Sequence, residues 1–98
     1  MSIRQISPIL ADLHLLTVLA QARSFTKAAR LLGVSKASVS TRVANLERAV
    51  GVPLVRRTTR SVVLTDAGRQ LVEDTEPSFA RIEQSLSSVR DLAGNPRG

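Results

Sequence analysis

The chain has 98 residues with no cysteine, tryptophan or tyrosine and two phenylalanines, a length that suits one domain with a modest core of Leu, Val, Ile and Ala. The missing cysteines exclude a disulfide framework and a thiolate metal site. The formal charge of +6 is divided unevenly: residues 1–60 carry ten Lys or Arg against Asp12 and Glu47, whereas residues 61–98 carry four Arg against six acids. A basic half of this kind attracts phosphates and supplies the non-specific part of nucleic-acid affinity, while a surface kept only for solubility would mix its charges. Nothing at the N-terminus stands out as the apolar run of a signal peptide or membrane span. A cytoplasmic protein with no membrane partner is therefore expected.

Residues 1–11 contain Pro8 and no strong period, and read as a flexible arm. Asp12 is the expected cap of a first helix whose inner residues are Leu13, Leu16, Leu19 and Ala20, flanked by Leu15 and Val18. His14 is the only histidine. Without a second imidazole it reads as an exposed helix-surface residue, not a metal ligand.

The stretch from Ser24 to Leu46 has the punctuation of two helices joined by a tight turn. Ser24 can cap a short helix in which Phe25, Ala28, Ala29 and Leu32 form one apolar face. Gly33 can end it in the left-handed conformation, with Val34 as an apolar plug. Ser35 restarts a helix that keeps Val39, Val43 and Leu46 inside and presents Lys36, Ala37, Ser40, Thr41 and Arg42 outside. A slim outer face with short donors, acceptors and an arginine fork suits the DNA major groove, and the paired alanines allow the close helix approach that holds the second helix proud. Spacing alone fits a DNA-reading helix pair and an amphipathic pair in another small α domain equally well.

Gly51 and Pro53 stop the second helix near Val50. Glu47 sits at the wrong end for the helix dipole, which points to a specific hydrogen bond or ion pair. Residues 54–64, LVRRTTRSVVL, are rich in β-branched side chains and read as a two-stranded wing with Arg56, Arg57, Thr58, Thr59 and Arg60 around its tip. Such a tip can lie along the backbone beside an occupied groove.

Thr65 and Asp66 suit the start of another helix. Phe79, Ile82, Leu86, Val89 and Ala93 then recur in steps of three and four, the narrow seam by which two helices meet. A chain this small has little core left for that seam, so it reads as a dimer interface; folding back on its own helices is the competing arrangement. Pro77 is expected to bend the helix or split it after Glu76, unless it lies in the first turn of a second segment. Residues 94–98 resemble a hinge or linker end.

In order, SF at Ser24 and Phe25, AA at Ala28 and Ala29, LGVS at Leu32 to Ser35, VS at Val39 and Ser40, LE at Leu46 and Glu47, Gly51, Arg57, Arg60, Val62 and LTDAG at Leu64 to Gly68 resemble the N-terminal DNA-binding domain of LysR-type transcriptional regulators. The resemblance implies a mainly α fold: a winged helix-turn-helix of three helices and a two-stranded β wing over residues 12–64, then a long linker and dimerisation helix over 65–93. It implies a reading helix starting at Ser35, with Lys36, Ala37, Ser40, Thr41 and Arg42 toward the groove, Thr26 near phosphates, and Arg57 and Arg60 in the wing. Lys36 replaces a usual Gln, Ala37 a frequent Pro or Ser, Ser38 a common Ala, Arg23 a frequent Gly and Val55 a usual Phe. Family members are normally longer, with a C-terminal effector-binding domain. The expectation is a fragment acting as a homodimer on double-stranded DNA at a partly palindromic operator, with any small-molecule effector bound only by a further domain, and no cofactor.

Two other classes compete with this reading. An enzyme lacks support, since no nucleophile and base pair, metal-ligand cluster or glycine-rich phosphate loop is evident. A protein-interaction or dimerisation module would use the seam and hold DNA only by charge.

Overall fold

The first helix, α1 (Ile3–Ala22), opens at Ser2, whose backbone N–H donates to Gln5 Oε1 at 2.7 Å. The computed structural model describes residues 2–58 and 61–94. The flexible arm expected over residues 1–11 is therefore corrected: from Ile3 onward it is helix. Ile6, Ile9 and Leu13 continue the three- and four-residue period of the buried Leu16, and Ile9 and Leu13 pack against the core. Pro8 is tolerated because it lies on the exposed side, where the carbonyl that loses its donor can meet water. Asp12 is thus a mid-helix residue and not a cap. An 18-residue window of α1 has a mean hydropathy of 1.2, so by length and composition alone this helix is apolar enough to cross a membrane, a criterion that the core helix of a soluble protein also meets. Here its apolar face is the centre of the core.

Leu15 and Leu16, adjacent on α1, point into two clusters. Leu15 and Leu19 pack with Phe25, Ala28 and Ala29 of α2 (Phe25–Leu32), Val39 and Val43 of α3 (Lys36–Val50), and Val62. Leu16 packs with Leu46, Leu54 and Val72. Leu15, expected at the side of the helix, is 1% exposed and so as central as the residues expected inside. The two alanines, 0% and 6% exposed, remove the bulk that would hold α2 away from its neighbours. Gly33, at φ 69°, turns the chain between α2 and α3, and the Val34 N–H behind it donates to the Ala29 carbonyl at 3.0 Å.

The wing is the antiparallel pair β1 (Val55–Arg57) and β2 (Val62–Leu64), with Val55 opposite Leu64 and Arg57 opposite Val62. Its entry is clamped from both sides. Glu47 Oε2 accepts from the backbone N–H groups of Leu54 at 2.7 Å and Val55 at 3.3 Å, which identifies the specific partner that its position demanded. On the other side Thr65 N–H donates to the Leu54 carbonyl, and Thr65 Oγ1 donates to the Pro53 carbonyl while accepting from Gly68 N–H. Gly68 lies so close to Leu54 that a Cβ there would overlap the Leu54 carbonyl oxygen.

Thr65 also starts α4 (Asp66–Gly94), a single helix that runs unbroken through Pro77. The split expected after Glu76 is absent. Pro77 is exposed, so the lost backbone bond leaves its partner carbonyl on the solvent side. Gly68 and Val72 bury the first two turns of α4; beyond Phe79 its apolar side chains are largely bare, with Ile82, Leu86 and Val89 each more than half exposed. His14, read as an exposed surface histidine, is half-covered: its ring centroid is 5.1 Å from that of Phe79, and Nε2 is 3.9 Å from Glu83 Oε1.

Candidate nucleic-acid interface

The N-termini of α2 and α3 open on the same side of the molecule, next to the wing. Each is capped by a serine: Ser24 Oγ accepts from Lys27 N–H at 3.1 Å, and Ser35 Oγ from Ser38 N–H at 3.0 Å. Between these helix ends and the wing lies a cleft of about 620 Å³, lined among others by Thr26, Lys36, Ala37, Ser40, Arg57 and Thr58. Two helix N-termini, a lysine and an arginine give it a field suited to anions.

Arg57 ties the three elements together. Alternation along β1 puts it on the same face as Val55, and its guanidinium carbon lies 4.3 Å from the centroid of the Phe25 ring. From there Nη2 donates to Ser40 Oγ at 2.6 Å. Phe25 thus has two duties, one in the core and one as the platform for a cation. The sequence identifies it only as a core residue, because nothing local links positions 25 and 57.

Of the residues expected to meet DNA, the structure gathers Thr26, Lys36, Ala37, Ser40, Arg57 and Thr58 around this cleft, with Ser35 exposed at the cap of α3, Thr41 exposed next to Ser40 on α3, and Arg56 exposed on the opposite face of β1. Thr58 closes the wing: its N–H donates to the Ser61 carbonyl, and its Oγ1 accepts from the Ser61 N–H at 2.9 Å. Thr59 and Arg60 lie outside the described residues. Arg42 requires a correction. It turns away from the outer face toward α1, where Nε donates to Asp12 Oδ1 at 2.8 Å and its side chain is 29% exposed. The reason is angular, since Arg42 lies only about 40° round the helix from the buried Leu46.

In the expected dimer seam, Ile82, Leu86, Val89 and Ala93 are exposed, but Phe79 is partly covered by His14 of its own chain. The free part of the seam therefore starts one turn later than its sequence suggests.

The model of the family described as bacterial regulatory helix-turn-helix protein, lysR family, matches residues 10–69 of the chain. The chain belongs to the LysR family. The LysR-type chain is 39% identical over 89 residues to the HTH-type transcriptional regulator PgrR of Escherichia coli (strain K12), a match covering 91% of this chain and 30% of PgrR. It therefore spans less than a third of the length of that relative. Among solved structures it is similar to full-length AphB, a virulence activator of Vibrio cholerae, with a TM-score of 0.79, 26% identity, and coverage of 84% of this chain and 28% of AphB. It is also similar to the BenM DNA-binding domain in complex with catB site 1 DNA, with a TM-score of 0.75 and 27% identity over 86% of this chain and 93% of that one. The mainly helical fold, the two-stranded wing and the long following helix are those of a LysR-type DNA-binding domain, and the relatives are transcriptional regulators rather than enzymes.

Proposed function

We propose that this LysR-type domain reads specific sequences in double-stranded DNA as a dimer bound to a partly palindromic operator, in the cytoplasm. The observation that carries the reading is Arg57, held on Phe25 and bonded to Ser40 beside the exposed first turns of α3. A cation fixed at that point lies on the phosphate backbone while the adjacent helix occupies the major groove. Lys36, Ala37 and Thr41 then face base edges. Lys36 donates to guanine O6 or N7, the Thr41 hydroxyl donates or accepts, and Ala37 leaves room for a thymine methyl group. Thr26, Ser35 and Ser40 contact phosphates at the helix ends, and Arg56 with the residues of the wing tip follows the backbone. The similarity to a BenM domain crystallised with DNA supports this docking.

Dimerisation runs through Ile82, Leu86, Val89 and Ala93, and puts two α3 helices in successive major grooves on one face of the duplex. Effector response belongs to a separate domain, as the greater length of PgrR and AphB suggests. Base readout is tested by measuring site preference after Thr41→Val and Lys36→Gln. A changed preference at one or two base positions per half-site is expected; a uniform loss across all sequences, as from a phosphate contact, contradicts the assignment.

A further inference from the structure

Along the outer edge of β2 runs a second cleft, of about 380 Å³. Its apolar walls are Ala20, Val62, Val63 and Leu64, and its two charged groups are Arg23, at the end of α1, and Arg69, in the first turn of α4. Arg23 stands there under strain. Its φ of 58° lies in the left-handed region that glycine adopts freely, and the Val62 N–H bond to its carbonyl at 3.2 Å holds it in place. Such residues persist where the surrounding structure over-determines them, and they gather at functional sites. The Arg23 side chain is exposed and its guanidinium has no acceptor among the described residues, so neither packing nor an ion pair accounts for an arginine at this position. Arg69 Nη2 lies 3.4 Å from Asp66 Oδ1, but that carboxylate is fully exposed, and a surface pair of this kind contributes little and yields to a stronger anion.

We infer that this cleft holds a phosphate of the duplex bound by α3, with Arg23 and Arg69 as its two cations. It rests on the DNA binding proposed above and adds to it a backbone contact across β2 from Arg57. Three observations favour the DNA backbone as the occupant. The cleft is continuous with the reading face, since Ser61 and Val62 line both clefts. No acid lines it, and apolar walls beside two cations strengthen their pull on an anion. The planar fork of a guanidinium also matches the oxygens of a phosphate better than a point charge does. The wing then lies between two backbone contacts, Arg57 on one side and this pair on the other, which together fix its register on the duplex.

The test is titration of the 98-residue chain against a mixed-sequence duplex of about 30 base pairs at a series of salt concentrations. Arg23→Gly with Arg69→Gln empties the cleft of charge while relieving the strain at position 23. Arg48→Gln with Arg81→Gln removes the same net charge from exposed positions on α3 and α4 outside the cleft. The cleft variant is expected to bind about tenfold more weakly than wild type and to lower the salt slope by about two, while melting no lower than wild type. The control pair should leave the slope unchanged, and Arg69→Gln alone should give about half of the change. A slope in the cleft variant equal to that of wild type, or matched by the control pair, overturns the phosphate seat and leaves DNA binding through α3 standing. A wild-type chain that does not bind the duplex at any salt concentration overturns the DNA binding itself, and the seat with it.

Discussion

Arg42 Nε donates to Asp12 Oδ1 at 2.8 Å, joining the centre of α1 to the middle of α3 through a largely buried pair. The bond ties α3 to α1 and turns the Arg42 guanidinium away from the outer face of α3. Asp12→Ala leaves Arg42 without its carboxylate and should cost about 1–2 kcal/mol, lowering the melting temperature by roughly 5–10 °C. Arg42→Ala should cost a similar amount, and the double variant less than the sum of the two. Neither should alter base preference. A thermal melt with a site-preference measurement on the same variants checks both statements.

Arg57 should act as more than a charge. Arg57→Lys keeps the cation but loses the planar stacking on Phe25 and the fixed approach to Ser40. Binding of both Arg57→Lys and Arg57→Ala should weaken for all sequences. Only the alanine should flatten the dependence of affinity on salt by about one phosphate contact. Titrations at a series of salt concentrations distinguish the two.

Glu47 holds the start of the wing through two backbone N–H groups. Glu47→Ala leaves those donors without their acceptor and should cost about 1–3 kcal/mol. Amide hydrogen exchange should rise first at Leu54 and Val55, ahead of the core of α1.

Arg23 is the one non-glycine residue with positive φ among the described residues, at 58°, and its carbonyl accepts from Val62 N–H at 3.2 Å. Arg23→Gly should relieve this left-handed strain and raise stability by about 1 kcal/mol. Gly68→Ala should do the opposite by several kcal/mol, since the added Cβ must push Leu54 away from α4. Chemical denaturation measures both shifts.

Much of this architecture is legible in the sequence because its signals are local. The capping serines at 24 and 35, the glycines at 33 and 51, the apolar period of α2 and α3 and the β-branched wing each act within a few residues. The site is less legible, because its geometry depends on contacts remote in sequence. Arg42 reads as a groove residue until Asp12, thirty positions away, is seen beside it. Arg57 looks like any wing arginine until Phe25 is found beneath it. The N-terminus misleads for another reason. Pro8 signals a break more loudly than Ile6, Ile9 and Leu13 signal a helix, although an exposed proline costs a helix less when its neighbours are held by the core.

A LysR-type domain that reads sequence as a dimer should recover a bipartite motif, whereas one that adheres to DNA only by charge should recover none. The most direct measurement is selection of sites from a random DNA pool by the purified chain, repeated at two salt concentrations. Recovery of a motif with two related half-sites about one helical turn apart, bound less tightly at the higher salt, is the predicted result. A recovered pool with no motif at either salt concentration would contradict it.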